Sequence, residues 1–484
     1  MFNLKPLVIA CSLSTLLAFS VANSAESDRN KLPEIGAAGA SLLSIDKERL
    51  IGNAMMKQLR SSQPVIHDPV LNEYINALGN SMVKHAQDVN YSFEFFLVNS
   101  QELNAFAFFG GHVGVHSGLF TTADSESELA SVLAHEISHV TQRHLARRLE
   151  AQSRNQPLTT AGMISGVLLA LINPSVGMAA LSTSMAASQQ SGINYTRGNE
   201  KEADRVGISL LAESGYDPMG APNFFNKMAE KYRYKSKPPA MLLTHPLPES
   251  RISDARLRAQ RYTYRPVAPS LSFELSKARI KARYEGNPRD NITRFKDDIK
   301  RQTYGHNVAA QYGLAVSLFE NKQYSAARNI LEELRVTDRN NLFYIDVLSD
   351  VYIAQKEFDI AEEMLAELNL LMPNNQVVTL NYANVLQEAK KFKQAETLLE
   401  DFLLVKREHF LANDLLAMVY RKQDKKAMMH SANAEVLALR GVYSKAIDEL
   451  QTAYTFAKEQ PLIKKRIKAR ILQFQDQEEK LKRL

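Results

Sequence analysis

The sequence is poor in the features that would place it outside the ordinary globular class. One cysteine, Cys11, occurs in 484 residues, and it falls inside an apolar N-terminal segment. Once that segment is removed, the chain has no thiol and no disulfide framework to hold a small scaffold together. No apolar run reaches the roughly 20 residues that a helix needs to cross a bilayer. Charge is not one-sided either: 59 Lys and Arg against 53 Asp and Glu give +6. That surplus is slight for the length and, with no recognisable binding motif, gives no reason to expect a nucleic-acid partner. With 45% hydrophobic and 23% charged residues, general disorder is excluded and most of the chain is expected to fold, as about two to four domains.

The first residues read as a cleavable signal peptide, 1–24. Lys5 is followed by an apolar run from Leu7 to Val21 and then by the small residues Ala22, Ser24 and Ala25. Cleavage after Ala22 and cleavage after Ser24 both satisfy the small-x-small rule. Val8-Ile9-Ala10-Cys11 loosely matches a lipoprotein processing box, but only four apolar residues precede the cysteine after Lys5, too few for the apolar core of such a signal, so a soluble exported protein is expected.

From Ser44 to Ala86 the apolar spacing is helical. Tyr91–Val98 and His112–His116 alternate as strands of a small sheet. Ser125 and Glu128 have capping-box spacing at the head of a further helix, on which Leu129, Val132, Leu133, Glu136 and Val140 recur at helical intervals. The stretch 161–187 is apolar and rich in small residues but is broken at Asn173-Pro174. It reads as a buried hairpin or a flap, and peripheral membrane contact stays open for it. Polar residues and Asn287-Pro288 mark 262–306 as linker helices between domains.

Beyond residue 307 the chain repeats. Tyr324, Phe358 and Phe392 are 34 residues apart, as are Ala327, Ala361 and Ala395, and also Ser349, Ala383 and Ala417. That period is the tetratricopeptide signature, paired helices stacked into a superhelix. Tyr443 and Ala446 suggest another unit after an irregular insertion. The expected fold is therefore mainly α: an α+β domain over 25–261 with a small sheet and a zincin-type HExxH helix, then an all-α tetratricopeptide superhelix over 307–484.

The chemistry is concentrated in His135-Glu136-Ile137-Ser138-His139. Residues four apart share a helix face, so both imidazoles can reach one Zn2+ ion, and Glu136 beside the first can serve as general base toward a metal-activated water. Glu200 offers a third ligand. Asp204, four residues on, shares its face and can accept the spare N–H of a ligand histidine. Glu202 competes for the ligand role but lies about 200° around the helix from Glu200. His144, five residues past His139, falls about 140° off the ligand face and is expected on the solvated surface. The strand His112–His116 is expected to pair with an extended substrate through its backbone.

Together HEISH, Glu200-Lys201-Glu202-Ala203-Asp204, Asn104-Ala105-Phe106 leading to Gly110-Gly111-His112, and Thr244-His245-Pro246 with Arg251-Ile252 resemble the zinc metallopeptidases that include the CAAX prenyl protease and the HtpX heat-shock protease. The resemblance runs from about Ser44 to Arg258. It implies one zinc ion per chain and a zinc metalloendopeptidase. It also puts His245 and Arg251 at the active-site rim, stabilising an oxyanion, or else His245 on the metal as a plug that leaves the enzyme latent. The added signal peptide and repeats resemble periplasmic quality-control proteases of Gram-negative bacteria. That likeness implies cleavage or chaperoning of stalled or misassembled outer-membrane β-barrel proteins, with the repeats contacting the β-barrel assembly machinery. The rival reading is a non-proteolytic holdase or scaffold that binds through the repeats.

Overall fold

The computed structural model describes residues 43–155, 197–233, 239–263 and 266–482. The expected signal peptide with Cys11 and the apolar stretch 161–187 lie outside them. No helix among the described residues is long and apolar enough to cross a membrane.

Two helices lead in, Ile45–Ser62 and Pro69–Val83, where the helical spacing put them. Ser44 caps the first by accepting from Lys47 N–H, and Asp68 caps the second by accepting from Val70 and Leu71. The sheet has three strands, β1 (Glu94–Val98), β2 (Ala105–Phe108) and β3 (His112–His116), in the order β1-β3-β2. Strand β3 runs parallel to β1 and antiparallel to β2. The expectation that His112–His116 takes up a substrate strand is thereby corrected, because β3 is central and both its edges are already paired.

The outer edge of β1 is closed as well. The Asn76 side chain bonds both the N–H and the C=O of Phe95, Ile66 N–H donates to Leu97, and Asn99 N–H donates to Pro64. That leaves β2 as the edge running beside the HEISH helix. The sequence did not mark β2, since Ala-Phe-Ala-Phe carries no polar alternation, and the structure gives the reason: all four residues are buried.

The HEISH helix, Glu126–Thr141, is capped by Ser125, whose hydroxyl accepts from Glu128 N–H, and every residue from Ser127 to Thr141 is buried. It is the central rod of the N-terminal half. Helix Arg197–Glu213 packs on it closely enough that a Cβ on Gly207 would sit 3.2 Å from the Ala134 carbonyl and the His135 nitrogen. Glycine permits that approach.

The C-terminal half is a stack of helix pairs, Asn307–Glu320 with Tyr324–Thr337, Leu342–Gln355 with Phe358–Leu371, and Gln376–Glu388 with Phe392–Val405. The expected irregular insertion after the third pair is instead another regular pair, Phe410–Lys422 and Lys426–Leu439. Its second helix hid from the repeat signature because Lys426 stands where the aromatic belongs and Met429 where the alanine does. Tyr443–Phe456 and Pro461–Lys482 close the array.

Helices Leu271–Arg283 and Pro288–Arg301, in the stretch read as a linker, are wedged between the halves. The fully buried Arg279 donates to Asp68 and Asp346, each at 2.6 Å, and to Tyr312 Oη at 2.8 Å. One hydrophobic core runs unbroken from Ile66 through Phe273 to Val385.

Candidate metal centre

Two helices and one loop converge on a buried cluster. His135 and His139 come from one face of the HEISH helix, with their Nε2 atoms 3.0 Å apart. Glu200, in the first turn of Arg197–Glu213, has its oxygens 3.5 Å from each of those nitrogens. His245 follows the short helix Ala240–Thr244, and its Nδ1 lies 3.1 Å from Glu200 Oε1 and 3.4 Å from His135 Nε2. Donors held about 2.1 Å from a tetrahedral zinc ion stand roughly 3.4 Å from one another. The spacings among His135, His139 and Glu200, and those from His245 to Glu200 and His135, are 3.0–3.5 Å and match; all four donors lie within 4.8 Å of one another and are buried. The donor set, three imidazoles and one carboxylate, suits zinc.

Around this cluster the electrostatics follow from burial. Glu136 is completely buried, with its Oε1 3.6 Å from His245 Nε2. Desolvation raises its pKa, and the nearby His245 and His135 only partly offset that. Glu200 goes the other way: burial opposes its charge, but His245 and the hydrogen bond to His135 hold its carboxyl well below the usual range. Asp204 sits 3.1 Å from His135 Nδ1, on the far side of the ring from the cluster.

Arg251 is not at a solvent rim. It is 4% exposed and lies behind Glu200, donating to that carboxylate at 2.7 Å, to both oxygens of Asp204 and to the Pro246 carbonyl. With three acceptors around its guanidinium, it faces the carboxylates of Glu200 and Asp204 and the Pro246 carbonyl.

The expectation for His144 is also corrected. Its side chain is wholly buried, with Nδ1 2.7 Å from His139 Nδ1 and Nε2 3.1 Å from Glu202. An offset of about 140° holds only on a continuous helix, but the helix ends at Thr141 and Arg143 takes φ +50°. A new helix, His144–Asn155, then begins in a different direction. Arg143 is no glycine, so the break had no signal in the sequence; its side chain is tied down by Glu48 and the Leu43 carbonyl.

The model of "Peptidase family M48" matches residues 69–259, and a "Tetratricopeptide repeat" model matches 352–419. The chain is 42% identical over 452 residues to the beta-barrel assembly-enhancing protease of Yersinia pestis, covering 93% of each chain. To the protein of the same name from Escherichia coli K12 it is 39% identical over 480 residues, covering 99% of this chain and 98% of that one. The E. coli metalloprotease LoiP is 26% identical over 238 residues, 47% of this chain and 86% of that one.

Proposed function

The chain belongs to peptidase family M48, and we propose that this zinc metalloendopeptidase works in the periplasm on outer-membrane β-barrel proteins that have stalled or misassembled. The observation that carries the reading is the set of donors spaced for one tetrahedral ion, with Glu136 buried beside it. His135, His139 and Glu200 are the ligands in this reading. Zinc, when bound there, supplies Lewis acidity toward a peptide carbonyl and toward a water.

Glu136 takes the proton from the attacking water and returns it to the leaving amide nitrogen. Its raised pKa suits both halves of that shuttle. Asp204, 3.1 Å from His135 Nδ1, favours the proton on that nitrogen and so leaves the Nε2 lone pair for the cluster. Strand β2 is the edge that an extended substrate would join. In antiparallel pairing, backbone groups alternate between partner and outside. Asn104 accepts from His116 N–H on β3, so the backbone groups of Ala105 and Ala107 face outward, Ala107's toward Glu136.

His245 occupies a ligand distance as a fourth donor, which favours a latent resting state over a residue that merely lines the rim. The repeats supply the surface for partners, the β-barrel assembly machinery among them, and for chaperone-like holding of clients, in keeping with relatives named for enhancing β-barrel assembly. A pure holdase is the second reading, and the same closed set of four donors is what favours it. Glu136→Gln separates the two: cleavage of an unfolded outer-membrane protein is lost while binding of it is kept. A variant that cleaves as fast as the parent overturns the mechanism.

A further inference from the structure

The pair that sequence spacing set aside, His144 and Glu202, forms a continuous chain into the metal centre. Glu202 Oε2 lies 3.1 Å from His144 Nε2, and His144 Nδ1 lies 2.7 Å from His139 Nδ1. His144 has no exposed surface and its ring stands at 74° to that of His139, with centroids 4.8 Å apart. Nothing in the ligand set itself requires this arrangement.

Donor and acceptor roles along the chain follow from an ionised Glu202 and a neutral His144. An ionised carboxylate only accepts, so the proton between Glu202 and His144 sits on Nε2 of the histidine. Glu202 already pairs with Arg147 at 2.8 Å, so its charge is met without a second cation. A neutral His144 ring then has a bare Nδ1. The 2.7 Å contact between two Nδ1 atoms needs one donor and one acceptor, and the donor is therefore His139 Nδ1–H. A neutral imidazole protonated on Nδ1 carries its lone pair on Nε2, the nitrogen that faces His135 and Glu200.

We infer that His144, oriented by Glu202, is a positioning residue that fixes the metal-binding tautomer of His139, as Asp204 does for His135. The two ligand histidines are thus held by different chemistry. His135 leans on a carboxylate tied to Arg251, and His139 leans on a neutral imidazole that passes the polarisation of a half-exposed carboxylate inward. A directly contacting carboxylate gives its ligand more charge than a relayed one, so His139 is the weaker donor of the two. The αL turn at Arg143 is the structural device that makes the relay, since it swings His144 back under His139 where a continuous helix would carry it away.

This inference rests on the zinc reading of the cluster, and its test separates the two. Zinc dissociation constants are measured by chelator competition for the full chain, for His144→Leu and for His144→Gln, with thermal unfolding of each metal-free protein alongside. His144→Leu removes the acceptor and weakens zinc binding about 10- to 100-fold. His144→Gln, whose amide oxygen can accept from His139, recovers most of that loss although it packs no better than leucine. Nitrogen-15 NMR of histidine-labelled metal-free protein places the proton of His139 on Nδ1 in the parent and loses that preference in His144→Leu. The inference is overturned if His139 is protonated on Nε2 in the parent, if leucine changes affinity less than threefold, or if leucine and glutamine are equally damaging. A parent chain that binds no zinc would overturn the zinc reading, while the NMR tautomer would still decide the relay.

Discussion

Arg251 holds Asp204 by both oxygens, Nε to Oδ2 and Nη2 to Oδ1 at 2.7 Å, and reaches Glu200 with Nη1 at 2.7 Å. One guanidinium thus joins Glu200 to the carboxylate that lies behind His135. Five donors in a rigid fork make this geometry, which a lysine ammonium does not reproduce. Arg251→Lys is expected to weaken zinc binding about 10- to 100-fold, as loss of outer partners generally does. Chelator competition measures it. An affinity within twofold of the parent would mean that the fork is dispensable.

His245 gives a prediction with a sign. If it closes the fourth position, His245→Ala opens the site while three ligands still hold the ion. Cleavage of an unfolded outer-membrane protein should then rise on the order of tenfold, the gain expected when about a tenth of the parent molecules are open. Zinc content by atomic absorption should not change. Lower activity at unchanged zinc would instead assign His245 to the transition state, and no change in either would remove it from the site.

The HEISH motif, Glu200 and Asp204 were legible because each depends on a helix that runs unbroken through the relevant residues, where angular spacing translates directly into position. The same arithmetic failed at His144, where the helix had already stopped. Arg251 was legible as a member of the site but not in its placement, since a guanidinium's partners are set by tertiary packing. The repeats were read from three registers at once, one of which reaches Ala417 in the fourth pair, and that pair's second helix escaped because packing tolerates Lys426 and Met429 at positions the signature assigns to other residues. Strand order is a tertiary property too, which is why β3 was taken for an edge.

His116 supplies a pH prediction away from the metal centre. It is 3% exposed, and burial lowers its pKa to about 4 from an ordinary 6.5. The folded protein therefore keeps it neutral where the unfolded chain would protonate it. Its contribution is fully present above pH 6.5 and is lost as pH falls toward 4. At pH 5 the loss is at most about 2 kcal/mol. Urea unfolding at pH 7.5 and pH 5 should show the parent losing more stability on acidification than His116→Phe. Parallel pH profiles for the two proteins would rule out His116 as a source of the acid sensitivity.

Arg279 decides whether the two halves behave as one body. It lies between Asp68, the cap of an N-terminal helix, and Asp346 in the repeats, with no exposed surface. Arg279→Met keeps the volume but leaves two buried carboxylates facing each other, with the Arg283 guanidinium 3.8 Å from each as the cation that remains among the described residues. Removing one partner of a buried pair typically costs about 3–5 kcal/mol. Adding Asp346→Leu removes one of the stranded charges, so the double variant should recover part of that loss, a coupling that a mutant cycle resolves. Because the lost bonds join the halves, the single variant is also expected to unfold in two steps by urea where the parent unfolds in one. A cost below about 1 kcal/mol with a single transition would mean that the continuous apolar core, not the arginine, holds the repeats in place.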